Sequence, residues 1–284
     1  MSKVHILVQK GVEHINNERQ LLTACDSPFI NGLYASFQNT TDLYLLLEVP
    51  LAHPTRDCDK GPYFYRTSNL HPVTARARAR VCVCVWQLVL GGDLLDYMEK
   101  NAPLKPEASR FYAGSVLCAF EYLHAKNIVY RDLKPENVMI DAQGHIKLVD
   151  FGFAKLLTPG EKTYTLCGSP EYMAPDVILK KGGHDLRCDW WSFGVLLVEL
   201  VTGDTPFTSD DKSQTYKMVV KAFVDWPALN MPKAAKKLAE QVRAVPLRPG
   251  ASYHTPHVTH HTTHDTQPAA PSATRRTERR LIVR

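Results

Sequence analysis

Residues 128–152 read Ile128-Val129-Tyr130-Arg131-Asp132-Leu133-Lys134-Pro135-Glu136-Asn137-Val138-Met139-Ile140, then Asp141-Ala142-Gln143-Gly144-His145, then Ile146-Lys147-Leu148-Val149-Asp150-Phe151-Gly152. Short β-prone apolar pieces flank an Asp-Ala-Gln-Gly turn, and each piece carries polar residues at one end. Asp132, Lys134, Asn137 and Asp150 are therefore candidates to converge on one site.

The spacing resembles the catalytic loop and magnesium loop of eukaryotic protein kinases. Tyr130, Arg131, Asp132 and Asn137 match H/Y-R-D-x-x-x-x-N, and Asp150 to Gly152 match D-F-G. The resemblance implies ATP and Mg2+ as cofactors. Phosphoryl transfer needs a carboxylate to orient the accepting hydroxyl and oxygen ligands to hold magnesium against the phosphates. Asp132 takes the first role by resemblance. Asn137 and Asp150 are the implied metal ligands, and Lys134 can steady charge on the transferred group.

A chain of 284 residues can bury one large core or two modest ones. With 44% hydrophobic and 22% charged residues, its bulk reads as an ordinary globular protein. A formal charge of +5 is too mild to imply nucleic acid. No apolar run reaches membrane-spanning length and no signal-peptide pattern opens the chain, so no membrane partner is expected and the cytoplasm, with the nucleus as alternative, is the default compartment. Seven cysteines, at 25, 58, 82, 84, 118, 167 and 188, form no paired C-x-x-C site and read as reduced thiols.

In chain order, residues 11–25 carry a helical pattern, with Val12, Ile15, Arg19 and Leu22 along one side. The run resembles the C-helix of the cyclic-nucleotide-dependent kinases, in which Glu18 would pair with an ATP-orienting lysine. Phe29 to Phe37 and Leu43 to Val49 read as two strands around a Gln-Asn-Thr-Thr-Asp turn. By resemblance Leu47 stands beside adenine, and Glu48 and Val49 begin the hinge that reads adenine through backbone groups.

Further along, Asp93 to Lys100 and Pro106 to Ala125 read as helices. In the second, Phe111, Ser115, Leu117, Cys118, Phe120, Tyr122 and Leu123 give broad apolar rows expected to be buried on more than one side. Leu94 and Met139 match positions below adenine. Asp93, Glu136 and Glu199 match acidic positions that recognise basic residues near the target hydroxyl, implying basic Ser/Thr-containing protein substrates.

Asp150 to Lys155 and Thr163 to Tyr172 resemble the basophilic AGC group, nearest the cAMP- and cGMP-dependent enzymes. Thr165 is the implied activation phosphosite, with its phosphate held by Arg131, and Ser169 would bond to Asp132 and Lys134 through its hydroxyl. Asp176 stands where that group has glutamate. Cys188 to Leu200 reads as a buried helix, with Asp189 bonding to the catalytic-loop backbone. Regulation by cAMP would come from a separate regulatory subunit.

The resemblance implies an α+β, bilobal, protein-kinase-like fold with an incomplete small β lobe and a mostly helical large lobe. Residues 1–49 form a partial small lobe, 50–90 an atypical insertion, 91–240 a partial large lobe and 241–284 a disordered His/Pro/Thr/Arg-rich tail. Segment 50–90 interrupts the pattern where two or three residues would suffice. It reads as a retained intervening sequence, against the alternative of a genuine insertion. No glycine-rich loop or lysine-bearing strand is recognised ahead of Gly11, so impaired phosphotransfer is expected. The alternative function is a non-catalytic, pseudokinase-like binding or scaffold protein.

Overall fold

The computed structural model describes residues 2–3, 12–48 and 92–243. The 50–90 segment, Val49 and the tail from 244 onward therefore lie outside the described residues.

At the centre, β4 (Val138–Ile140) and β5 (Ile146–Leu148) pair antiparallel with Val138 opposite Leu148 and Ile140 opposite Ile146. Gly144 closes the turn with φ 84°, the left-handed region in which a Cβ is strained. The Asp141 side chain accepts the Gln143 and His145 N–H groups, so the turn is fixed by its own first residue. A second short pair, β3 (Ile128–Val129) with β6 (Lys155–Leu156), lies on either side of this hairpin in sequence.

The small layer holds α1 (Val12–Ala24) and the pair β1 (Leu33–Gln38) and β2 (Leu43–Leu47). Of α1 only Leu21 and Leu22 are buried, and Val12 is exposed, so the apolar stripe is narrower than the spacing predicts. The first strand begins at Leu33, four residues later than Phe29. Residues 29–31 bond instead to β5: Leu148 N–H donates to Phe29 O, and Asn31 N–H to Leu148 O. That long-range pairing ties the small layer to the hairpin and outcompetes the local strand pattern.

The larger, mostly helical body comprises α2 (Leu94–Asn101), α3 (Pro106–Ala125), α4 (Pro175–Leu179), α5 (Arg187–Thr202), α6 (Lys212–Lys221) and α7 (Lys233–Arg243). Pro106 opens α3 where its missing N–H is harmless. Tyr112, Val116, Phe120 and Leu123 recur at helical spacing and are buried. Phe111, expected in the same rows, is 47% exposed and packs edge-on against Tyr112. Cys118 and Tyr122 are half-buried.

Every residue from Cys188 to Leu200 is buried, which makes α5 the axis of the body. Phe120 of α3 meets Trp190 and Phe193 of α5 at 5.9 and 6.4 Å between ring centroids, and Trp191 stacks on Phe207 at 5.8 Å. Each such aromatic or aliphatic burial contributes roughly 1.5–3 kcal/mol. Helix α5 stops at Gly203, whose φ of 92° lets its N–H return to Glu199 O. Helix α7 covers the body with Ala239 and Val242 buried. The arrangement is bilobal and α+β, with a small β layer on a mostly helical body. Among the described residues no helix is long and apolar enough to cross a membrane.

Candidate active site

The loop between β3 and β4 is held open by one buried carboxylate. Asp189, fully enclosed in the first turn of α5, accepts the Tyr130 N–H on Oδ2 at 2.9 Å and the Arg131 N–H on Oδ1 at 2.8 Å. Its Oδ2 also meets His124 Nε2 at 2.8 Å. A carboxylate removed from water needs such partners, and they fix the backbone that precedes Asp132. Arg131 has φ 69°, a left-handed conformation that this grip sustains.

Asp132 follows with 4% exposure. Asn137, in the 3-10 turn Pro135–Asn137, donates its Nδ2 both to Asp132 O at 2.8 Å and to Asp132 Oδ2 at 2.9 Å. Lys134 Nζ stands 3.9 Å from the same Oδ2. Asp132 Oδ1 is buried with no partner. Burial raises the Asp132 carboxyl to about 6; Lys134 opposes the shift, and Asp150 adds to it. Asp132 and Asp150 are therefore electrostatic neighbours, brought together by the β4–β5 hairpin.

Asp150 is exposed at the end of the strand and has φ 55°, with its Oδ1 accepting the Gly152 N–H at 3.2 Å. Phe151 is buried against Tyr130 at 5.2 Å between rings, and the Tyr130 hydroxyl donates to Val149 O. Glu18 of α1 reaches the same place. Burial, then the nearby Asp150 charge, raises its carboxyl to about 7, although the Phe151 backbone hydrogen-bonds to it. Among the described residues no cation pairs with Glu18. His14 Nδ1 lies 2.9 Å from Gly152 O and Asn17 donates to Ala154 O, so α1 docks directly on the segment after Asp150.

These residues fit a hard divalent cation. Asn137 spends its amide N–H groups on Asp132, which leaves its carbonyl oxygen for a ligand, and Asp150 presents an exposed carboxylate. Two protein oxygens with the rest from phosphates and water is the pattern magnesium prefers. Among the described residues no cluster of three or more His, Cys, Asp or Glu could cage a metal without such a substrate.

The residues expected beside adenine come from three elements, α2, β4 and β2. Leu94 and Met139 are buried, and Asp93 forms a bridge to Met139. Leu47 is half-buried on β2. Glu48 is committed through its side chain: Oε2 meets Lys147 Nζ at 2.8 Å and accepts the Gly32 N–H at 3.2 Å. Lys147 was not singled out by sequence.

Of the acidic positions, Glu136 and Glu199 are electrostatic neighbours, joined by Asp204 and Glu171, which sequence reasoning passed over. Asp93 has a structural task, since its Oδ1 caps α2 by accepting the Asp96 N–H at 2.8 Å.

In the activation segment Thr165 is exposed, and Arg131 points elsewhere: its Nε donates to Phe153 O at 2.7 Å and its NH1 to Thr163 Oγ1 at 3.2 Å. The expected Ser169 hydroxyl bond to Asp132 or Lys134 is not made; the Ser169 carbonyl instead accepts from Tyr172 and Met173 N–H groups. Gly168 passes so close to the catalytic loop that a Cβ there would lie 2.6 Å from Arg131 O.

The family model for the protein kinase domain matches residues 69–246. The cGMP-dependent protein kinase, isozyme 1, of Drosophila melanogaster is 38% identical over 221 residues, covering 78% of this chain and 24% of that protein. The cAMP-dependent protein kinase catalytic subunit of Dictyostelium discoideum is 36% identical over 227 residues, covering 80% of this chain and 28% of that one. Human cGMP-dependent protein kinase 2 is 38% identical over 79% of this chain and 24% of its own length. The chain thus spans about a quarter of the length of these relatives. With the family model covering more than half of its residues, the chain belongs to the protein kinase family and is related to the AGC-group kinases that depend on cAMP or cGMP.

Proposed function

We propose that the protein transfers the γ-phosphoryl group of ATP to serine or threonine hydroxyls in basic protein substrates. The observation that carries the reading is the meeting of Lys134 and Asn137 on Asp132 Oδ2, with the Asp150 charge nearby, which leaves Asp132 Oδ1 buried without a partner. Asp132 orients the substrate hydroxyl and takes its proton as the oxygen–phosphorus bond forms and the bond to the ADP oxygen breaks. Lys134 balances charge on the transferred group. Asn137 holds Asp132 in place and, with Asp150, supplies the oxygens for magnesium. When bound, magnesium neutralises the phosphates. Leu94, Met139, Leu47 and the hinge residues Glu48 and Val49 form the adenine side.

Basic residues of the substrate are received by Glu136 and Glu199, with Asp93 as the third acidic position. Thr165 is the proposed phosphosite, exposed and two residues from the Thr163 that Arg131 now binds. Ser169 belongs to the same regulated segment, and a regulatory subunit is the proposed partner. Residues 50–90 and 244–284 are proposed as an insertion and a tail outside this machinery, whereas residues 241–243, expected in that tail, close helix α7.

A second reading, peptide binding without phosphoryl transfer, is favoured by one observation: Glu18 has no cation beside it among the described residues, and burial with Asp150 keeps its carboxyl close to neutral. Calorimetric binding of ATP with and without magnesium separates the two. Magnesium-dependent affinity that is lost in Asp150→Asn supports catalysis; peptide binding with no ATP affinity supports the second reading.

A further inference from the structure

Lys147 stands midway along β5, between Ile146 and Leu148, both fully buried. Successive side chains of a strand face opposite sides, so Lys147 is on the other face of the hairpin. Its cross-strand neighbour there is Met139 of β4, one of the residues expected beside adenine. From that face Lys147 Nζ donates to Glu48 Oε2 at 2.8 Å, next to Leu47 at the end of β2. One ion pair thus joins the two walls, Leu47 and Met139, between which adenine is expected.

The Glu48 carboxylate has a place made for it. Its Oε2 also accepts the Gly32 N–H at 3.2 Å, the Glu48 N–H donates to Gly32 O at 2.6 Å, and a Cβ on Gly32 would lie 3.2 Å from that Oε2. The side chains of Lys147 and Glu48 are 13% and 31% exposed, so solvent screens the pair less than it screens the exposed Arg110–Glu107 pair of α3. The main-chain bonds that also tie the small layer to β5 lie at residues 29 and 31. Without Lys147, the main chain at Glu48 is free to shift relative to the hairpin.

We propose that Lys147 is a positioning residue for ATP: by gripping Glu48 it fixes the Glu48 main chain relative to Met139, and so sets nucleotide affinity without touching the nucleotide. The inference rests on the ATP-binding reading above. Coupling between a bound ligand and a remote contact is reciprocal. Bound ATP therefore strengthens the ion pair by the same factor by which the pair strengthens ATP binding.

The experiment is calorimetric titration of the chain with ATP in the presence of magnesium. Lys147→Met keeps a long stem and removes the charge; it is expected to weaken ATP binding roughly fivefold or more, and Lys147→Arg to restore most of the loss. Glu48→Gln leaves an acceptor for Gly32 and should weaken binding to the same extent, which carries the test should Lys147→Met not fold. The double variant should bind no more weakly than either single one, because both remove one interaction. Arg110→Met, which breaks the exposed pair on α3, should leave the affinity unchanged. A merely structural pair would not respond to nucleotide, whereas the coupling between Glu48 and Lys147 in urea unfolding should be larger with saturating ATP than without it. Equal ATP affinity in Lys147→Met and the unaltered chain, or additive losses in the double variant, would overturn the positioning role and leave the ATP reading standing. Absence of ATP affinity in the unaltered chain would overturn the reading and the inference together.

Discussion

One amide group of Asn137 bridges two acceptors of Asp132, the main-chain carbonyl at 2.8 Å and the side-chain Oδ2 at 2.9 Å. The bond favours the ionised form of Asp132, against burial, which favours the protonated one.

Removing that bond should move the acid limb of activity. Asp132 must be ionised to accept a proton, so kcat/KM is expected to fall as pH drops through about 6. In Asn137→Ala the limb should shift upward, and stability should fall by about 1–3 kcal/mol because a buried carboxylate loses a donor. The pH profile of kcat/KM and urea unfolding check the two halves separately. An unmoved limb would show that Asn137 does not support the Asp132 charge.

Asp189→Asn should destabilise the chain by about 3 kcal/mol. The amide retains one acceptor but turns its NH2 toward a main-chain N–H that now bonds to Oδ1 or Oδ2. Because the affected donors belong to Tyr130 and Arg131, the loop carrying Asp132 should loosen first. Hydrogen exchange should therefore speed up at residues 130–132 before it does in α3.

His184 should make the fold sensitive to acid. It is 2% exposed, neither ring nitrogen has a partner, and burial with the Arg131 charge lowers it to about 4. The unfolded chain, titrating near 6.5, binds the proton more readily. Stability is thus full above about 6.5 and declines as pH falls toward 4, by up to ~3 kcal/mol from this group. In His184→Leu the unfolding midpoint should vary less across that window. An unchanged slope would place the acid sensitivity elsewhere.

Local pattern was enough to read α3, whose bounds Pro106–Ala125 coincide with its helical run, and the pieces that became β4 and β5. The partners of Asp132 were legible because Lys134 and Asn137 lie within five residues of it. What pattern missed was made by distant chain. Lys147 and Glu48 are 99 residues apart in sequence, yet their ion pair joins the end of β2 to the strand that leads to Asp150. Glu171 and Asp204 joined the Glu199 pocket only through folding. Asp93, a substrate carboxylate by resemblance, also caps α2, and sequence spacing alone did not show that second task. Thr165 and Arg131 were expected to face each other through a phosphate, whereas the unmodified chain lets Thr163 and Phe153 take the guanidinium.

Whether Asp132 and Asp150 serve one reaction is tested most directly by transfer of labelled phosphate from ATP to an Arg-Arg-x-Ser peptide with magnesium present. The account predicts magnesium-dependent transfer by the unaltered chain and a loss of about 10²-fold or more in both Asp132→Asn and Asp150→Asn. Transfer that continues undiminished in either variant would contradict it.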